Sequence, residues 1–342
     1  MSFKVVKTDG AFRDQEIERG IFAQVGAEYV EMHHPSADEL LTKARDADAL
    51  MVLAYSVTRE LLEGLPRVQV VSRYGVGVDV VDVRAATSLG IVVTYVPDYC
   101  IDEVSSHTVA LMLAVQRKLF ASSGLATAGT FPAMEAVRPI HRLMGSRVGL
   151  VGFGALGQAV ARKLSGFELE LVATDPQVPS RVFAERGVRE VGLDELVETS
   201  DIVSIHTSLT PATHHLIGKD QIARMKPGAV VINTARGAVI DQAHLARALR
   251  DGHLGGAGLD VLETEPPAPE EELLHMSNVV ITPHVAAYSE EAIRTLQERT
   301  ASAVVDVLSG RRPPHLADPE VWAHRRTVQV EPRTWTQEDP AP

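Results

Sequence analysis

Short apolar runs separated by amphipathic stretches recur along the chain to about residue 310. In the first hundred residues the runs are FKVVKT, GAEYV, ALMVLA, VQVVSRYG and GIVVTYV. Between them, residues 14–22, 37–45, 58–64 and 79–88 carry helical spacing. Such alternation predicts a parallel sheet covered by helices. A longer helix is expected from Asp102 or Glu103 through VSSHTVALMLAVQRKL. The middle repeats the theme with SRVGLVGFG, LELVATD, DIVSIHT, GAVVINTARG, GAGLDV and NVVITPH. These runs are rich in Val and Ile on consecutive positions, as strands buried on both faces require. The expected fold class is α/β, with two doubly wound parallel-sheet domains and a cleft between them.

The apolar runs of the middle section end in polar or glycine-rich steps at Gly152, Asp175, His206, Arg236, Asp260 and His284. Open parallel sheets bind ligands just outside the carboxyl ends of their strands, so these steps are where chemistry is expected. After them, SEEAIRTLQERTASAVVDVLSG reads as one long helix closed by Gly310 and crossing back to the first domain. The polar residues beyond it show no period and read as an extended tail. The expected division is residues 1–102 plus 288–315, residues 103–287, and a tail of residues 316–342.

Composition narrows the classes. A chain of 342 residues suggests about two domains, and 45% hydrophobic with 23% charged residues is ordinary for a globular core. A net charge of -12 argues against nucleic-acid partners. Cys100 is the single cysteine, which leaves no intrachain disulfide to form. The N-terminus lacks the apolar core of a signal peptide, and no apolar run reaches the roughly 18 residues of a membrane helix. The expectation is a cytoplasmic protein with no membrane partner.

The sharpest local signal is Gly152-Phe153-Gly154-Ala155-Leu156-Gly157, which ends the run RVGLV and opens the helix ALGQAVARKL. Glycines there permit a tight turn, close approach to a pyrophosphate and close helix–strand packing, and the helix N-terminus favours the anion. Asp175 ends the next run, where a carboxylate accepts from a ribose 2′-hydroxyl and repels a 2′-phosphate, so NAD is expected over NADP. A second signal is the set Arg236, Glu265 and His284 at successive run ends. A lone histidine at a strand end is more often structural. With an arginine to hold a carboxylate, and a carboxylate to orient the imidazole, it becomes a hydride-transfer site. No H-E-x-x-H or Cys-rich spacing is present, so no metal is expected.

The pieces SRYGVGVDVVD, VSSHTVALMLA, GLVGFGALG, HTSLTPATHHLI, MKPGAVVINTARGAVID, GLDVLETEPP and NVVITPHVAAYS together resemble the D-2-hydroxyacid dehydrogenase family, over nearly the whole length to about Pro319. The stretch VPDYCIDEVSSHTVALMLAVQRKL and the ending PHVAAYSEE resemble the branch that contains the C-terminal-binding corepressors, and also phosphoglycerate dehydrogenase-like enzymes. The resemblance implies a Rossmann-like cofactor domain over residues 103–287 and a smaller flavodoxin-like substrate domain. It makes His284 the acid/base, Glu265 its partner and Arg236 the substrate-carboxylate anchor. It puts Thr108, His206, Thr207, Thr213, Thr234, Ala235 and Asp260 along the cofactor with the glycine turn. It gives substrate binding to Arg73, Tyr74, Gly75, Val76 and Gly77, with the amides of Val76 and Gly77 holding a carboxylate. It implies a small 2-keto or 2-hydroxy acid as substrate and a homodimer through the cofactor domain.

The chain departs from the family at Ser208, where a proline is usual, and Glu265 excludes the formate dehydrogenase branch. Arg73 stands where phosphoglycerate dehydrogenases meet a substrate phosphate. It suggests a second anionic group on the substrate, or else a brace for the loop. The rival reading is a corepressor-like interaction module that binds NAD with little or no turnover. The intact Arg-Glu-His set favours turnover.

Overall fold

The computed structural model describes residues 3–10, 12, 14 and 16–327. The chain divides into two compact units, one made of residues up to Tyr99 and from Ser289 onward, the other of Cys100–Tyr288.

The first unit carries strands β1 (Lys4–Lys7), β2 (Glu28–Glu31), β3 (Ala49–Val52), β4 (Val70–Arg73) and β5 (Val92–Thr94). They form one parallel sheet in the order β2-β1-β3-β4-β5. Helices α1 (Glu16–Gln24), α2 (Ala37–Lys43), α3 (Arg59–Gly64) and α4 (Val83–Ser88) lie between them in sequence. Successive strand residues face opposite ways. Val6, Leu50, Val71 and Val93 enter one core, and Val5, Ala49, Val70 and Val92 enter another on the opposite face. That is why each run is apolar throughout rather than alternating.

The reversal of strand order lies between β1 and β3, and there Asp9 fills the turn with its own carboxylate. Its Oδ1 accepts from the Leu53 amide at 2.7 Å and from the Thr8 hydroxyl at 2.9 Å. Its Oδ2 accepts from the amides of Ala54 at 2.6 Å and Tyr55 at 2.8 Å. An anion is thus built in, at a place where an α/β sheet often takes one from a ligand. Asp9→Ala is expected to destabilise the protein by about 2–3 kcal/mol, because it orphans several partly buried donors at once. Urea denaturation checks this, and a change under about 0.5 kcal/mol would show that the carboxylate does not hold the loop.

The second unit opens with α5 (Ile101–Gln116) and α6 (Leu119–Thr127). Its strands are β6 (Arg147–Val151), β7 (Glu170–Thr174), β8 (Arg189–Glu190), β9 (Ile202–Ile205), β10 (Val230–Asn233), β11 (Gly256–Leu259) and β12 (Val279–Ile281). They are all parallel, in the order β12-β11-β10-β9-β6-β7-β8. Helices α7 (Ala155–Leu164), α8 (Ser180–Glu185), α9 (Leu193–Thr199), α10 (Lys219–Arg224) and α11 (Gln242–Arg250) alternate with them. Val151, Val203 and Val231 pack on one face and Leu150, Ile202 and Ile232 on the other. The doubly wound reading holds for both sheets. The pair Arg189–Glu190 is exposed and carries no apolar signal, so β8 was not foreseeable from hydropathy.

Helix α12 (Glu290–Leu308) is capped by Ser289, whose side chain accepts from the Ala292 amide, and returns to the first sheet. The segment after α12 is not simply an extended tail. Leu316 pairs with Thr94 on the edge strand β5, Val321 is buried, and Nη1 of Arg326 lies within 3.1 Å of the carbonyls of Leu65, Pro66 and Val68. Scattered Pro, Trp and Arg hid a strap that covers a sheet edge. Residues 328–342 lie outside the described residues.

Candidate active site

Strand register builds one row at the carboxyl edge of the second sheet. Val151 sits opposite Thr174 and Ile205, Ile205 opposite Asn233, Asn233 opposite Leu259, and Leu259 opposite Ile281. The next residue on each strand, namely Gly152, Asp175, His206, Thr234, Asp260 and Thr282, therefore leaves the sheet beside its neighbours.

Gly152 has φ +95, and a Cβ on it would lie 2.8 Å from the backbone of His206 and Thr207. A Cβ on Gly157 would meet the Gly152 carbonyl at 2.3 Å, whereas one on Gly154 would meet nothing within 4 Å. Two of the three glycines are thus forced by packing, and the third faces open space at the N-terminus of α7. Among the described residues the N-cap position, Gly154, supplies no side-chain cap to that helix. Asp175 accepts from the Phe153 amide at 2.8 Å through Oδ2 and from the Gln177 amide at 2.9 Å through Oδ1. Burial pushes His206 down to about 3, so it is neutral, and its buried Nδ1 has no hydrogen-bond partner among the described residues.

At the other end of the row, His284 Nδ1 and Glu265 Oε2 are 2.6 Å apart. Glu265 Oε1 accepts from the Leu262 amide at 2.9 Å. Burial pushes the Glu265 carboxyl up, but the hydrogen bonds from His284 and Leu262 and the charges of His284 and Arg236 outweigh it, leaving it below the ordinary value. His284 is 47% exposed, and its backbone is left-handed at φ +52. Its amide donates to the carbonyls of Asp260 and Thr282.

Arg236 follows β10 and donates from Nη1 to the Ala235 carbonyl at 2.8 Å, while Asn233 Nδ2 donates to the Arg236 carbonyl at 2.9 Å. A Cβ on the next residue, Gly237, would fall 2.0 Å from the Leu262 carbonyl carbon. The turn that carries Arg236 is thus pressed onto the loop that carries Glu265.

Several expected cofactor residues turn out to be braced by their neighbours. Thr108 donates to the Val104 carbonyl at 2.7 Å, so its contact with Thr234 at 2.8 Å has the Thr234 hydroxyl as donor. Thr213 donates to the Ser208 carbonyl at 2.6 Å and accepts from the Thr210 amide, closing the loop where a proline is usual. The Asp260 carboxylate accepts from Thr282, Val285 and Ala286, shaping the turn around His284. His214 and His215 stack with ring centroids 4.0 Å apart. His215 lies 2.8 Å from Glu263.

In the first unit, Tyr74 requires a correction. Its ring is fully buried against Phe12, its hydroxyl donates to Glu18 Oε1 at 2.8 Å, and its amide donates to Val52. A side chain spent in the core does not reach a substrate. Gly75 has φ +134, and the Arg73 guanidinium lies across it, where any Cβ would be 1.5 Å away. The amides of Val76 and Gly77 donate to no group among the described residues. The Arg73 guanidinium is thus packed over the Gly75 turn. His107, to which the sequence motifs assign no role, lies 2.9 Å from Thr282. The only sequence signal for it is a histidine within the apolar helix α5.

Residues 109–286 match the sequence model of the "D-isomer specific 2-hydroxyacid dehydrogenase, NAD binding domain". The chain is 38% identical over 307 residues to the glyoxylate reductase of Thermofilum pendens, which spans 86% of this chain and 88% of that protein. The chain belongs to the D-isomer specific 2-hydroxyacid dehydrogenase family. It is also 38% identical over 275 residues to the D-3-phosphoglycerate dehydrogenase of Methanocaldococcus jannaschii, covering 80% of this chain and 52% of that protein. A solved D-lactate dehydrogenase from Aquifex aeolicus, complexed with NAD and lactic acid, aligns with a TM-score of 0.82 and 27% identity, covering 96% of this chain and 100% of that one.

The dehydrogenase is therefore an NAD-dependent oxidoreductase acting on a CH–OH group, and these relatives support that reading over the corepressor-like one. The residues present fit the dinucleotide. Open space at Gly154, where the ten-residue helix begins, and Asp175 beside the turn are what a pyrophosphate and its ribose need. Among the described residues no His, Cys, Asp and Glu cluster forms a metal-holding group. Among the same residues no single helix is long and apolar enough to cross a membrane, and α5 and α6 pass that test only as a pair bent by 59°.

Proposed function

We propose that this dehydrogenase reduces small 2-keto acids to D-2-hydroxy acids with NADH, His284 serving as acid, Glu265 as its partner and Arg236 as the carboxylate anchor. The 2.6 Å pair of His284 and Glu265, at one end of the aligned strand ends, carries the reading. Bound NADH supplies the hydride. Arg236 holds the substrate carboxylate through a bidentate contact and polarises the neighbouring carbonyl. His284 delivers a proton to the carbonyl oxygen from the ring whose Nδ1 side is held by Glu265, so Nε2 is the donating atom. In the first unit, the amides of Val76 and Gly77 serve as substrate-binding groups, with Gly75 supplying the turn. The test is NADH oxidation across glyoxylate, hydroxypyruvate, phosphohydroxypyruvate, phosphonopyruvate, oxaloacetate and branched 2-keto acids. Turnover is expected, and its absence across the panel despite NADH binding would sink the reading. A preference for doubly charged acids would assign Arg73 a second anionic group of the substrate.

Asp175 makes NAD the cofactor in preference to NADP. Its carboxylate is fixed by two amides, so it keeps its place against a 2′-phosphate. Asp175→Ala is expected to raise the NADPH-to-NADH ratio of kcat/KM by at least about tenfold, the order of one lost charge repulsion. An unchanged ratio in paired assays would remove Asp175 from cofactor choice.

The protein pairs as a homodimer through the cofactor unit. No residue of α6 is buried, and Phe120 on it and Phe131 and Met134 after it are 65%, 77% and 67% exposed. Large apolar side chains gathered in one segment mark a surface that another protein surface covers, and a second copy is the occupant the family points to. Light scattering should give twice the chain mass, and Phe120→Asp with Phe131→Asp should halve it. A monomeric wild type would overturn the assignment. The single cysteine, Cys100, is buried and free, which supports a cytoplasmic setting.

A further inference from the structure

The turn that presents His284 is held from behind by a chain of three side chains. Asp260 is the hub. Its Oδ1 accepts from the Thr282 hydroxyl at 2.6 Å and the Val285 amide at 3.0 Å, and its Oδ2 accepts from the Ala286 amide at 2.9 Å. Its carbonyl accepts from the His284 amide. The carboxylate is 2% exposed at the residue level, so these bonds form away from water. The outer member is His107 on α5, whose Nε2 lies 2.9 Å from Thr282 Oγ1 and 3.7 Å from Asp260 Oδ1.

The direction of these bonds comes from proton counting. A threonine hydroxyl has one proton, and the short contact to a carboxylate takes it. Thr282 Oγ1 can then only accept from His107, so His107 carries a proton on Nε2. That tautomer aligns every dipole of the chain toward Asp260. A carboxylate so supplied keeps its lone pairs aimed at the amides of Val285 and Ala286. These amides close the turn in which His284 is left-handed, a conformation a non-glycine residue holds only when its surroundings impose it.

We propose that His107 is a positioning residue for the hydride-transfer reaction, acting through Thr282 and Asp260 to fix the turn that aims His284. It touches no reacting atom. The inference rests on the reading of His284 as the proton donor. Asp260 thereby holds the His284 turn whatever its own contact with cofactor.

The test compares wild type with His107→Leu, His107→Gln, Thr282→Val and the double variant His107→Leu/Thr282→Val, in NADH-driven glyoxylate reduction. His284→Asn serves as reference. His107→Leu and Thr282→Val are each expected to lower kcat about tenfold, the scale of a slightly misaimed catalytic group. The NADH dissociation constant, read by fluorescence, should stay within about twofold, since a relay that aims His284 leaves cofactor affinity alone. His107→Gln keeps an N–H near Nε2 and should restore kcat to within about twofold of wild type. The double variant should be no slower than the slower single variant, because both cut one chain.

Wild-type kcat in both single variants would overturn the proposal. So would His107→Gln as slow as His107→Leu, or losses that multiply in the double variant. If His107→Leu does not fold, Thr282→Val and His107→Gln still decide. Wild-type activity in His284→Asn would mean that the acid assignment itself fails, whereas an inactive His284→Asn beside fully active His107 and Thr282 variants fails the relay alone.

Discussion

Replacing His284 by asparagine lowers kcat for keto-acid reduction by about 10²–10⁴, the usual worth of a positioned general acid. Hydride arrival leaves negative charge on the carbonyl oxygen, and the proton must come from a group already in place. Water reaches His284, which is 47% exposed, so some rescue by solvent is expected and the loss should sit toward the lower end of that range. Asparagine is the informative choice. The residue occupies φ +52, a region asparagine tolerates and alanine enters at a cost of about 1 kcal/mol. If His284→Asn and His284→Ala are equally slow, the lost proton donor is the cause. If asparagine restores most of the rate, backbone shape matters and the imidazole does not. NADH affinity should change little in either, because the glycine turn at Gly152 and Asp175 lies at other strand ends.

The layer architecture was legible because strands buried on both faces write themselves as continuous Val and Ile runs, as in VVIN of β10 and ALMV of β3. The residues at run ends were legible for the same reason, since the sheet edge is where an apolar run must stop. Contacts between those ends were not. Thr282 and His107 are 175 residues apart, and nothing in either segment announces the other. Tyr74 misled because it sits inside a glycine loop, yet Glu18, 56 residues earlier, draws its hydroxyl into the core. The segment after His315 misled because edge pairing by Leu316 and carbonyl capping by Arg326 use few residues and leave no period. Periodicity reports which face a residue takes, whereas partner choice at a site depends on side-chain reach across the fold.

Replacing Glu265 by glutamine should move the pH profile of keto-acid reduction to lower pH and slow the reaction at neutral pH. The carboxylate is now held below its ordinary value of 4.5: burial opposes ionisation, and the hydrogen bonds from His284 and Leu262 and the charges of His284 and Arg236 prevail. A carboxyl depressed in this way contributes its stabilisation fully above the unfolded value of 4.5, and loses it as the pH falls through the lower folded value. Throughout the neutral range Glu265 is therefore anionic beside the imidazole. Reduction needs the imidazolium, and an adjacent anion favours that form. Without that anion the acid form loses its support, so the alkaline fall in reductive rate should begin earlier. Glutamine also brings one carbonyl oxygen where two carboxylate oxygens now serve the Leu262 amide and His284 separately, so one of these donors loses its acceptor. An orienting carboxylate swapped for its amide costs up to about 10⁴ in a buried triad, and a pair open to water should lose less, about 10–10³. Stopped-flow NADH oxidation from pH 5 to 10 measures both effects. A slower enzyme with an unmoved profile would leave Glu265 an orienting role only, and an unchanged rate with an unchanged profile would uncouple the pair.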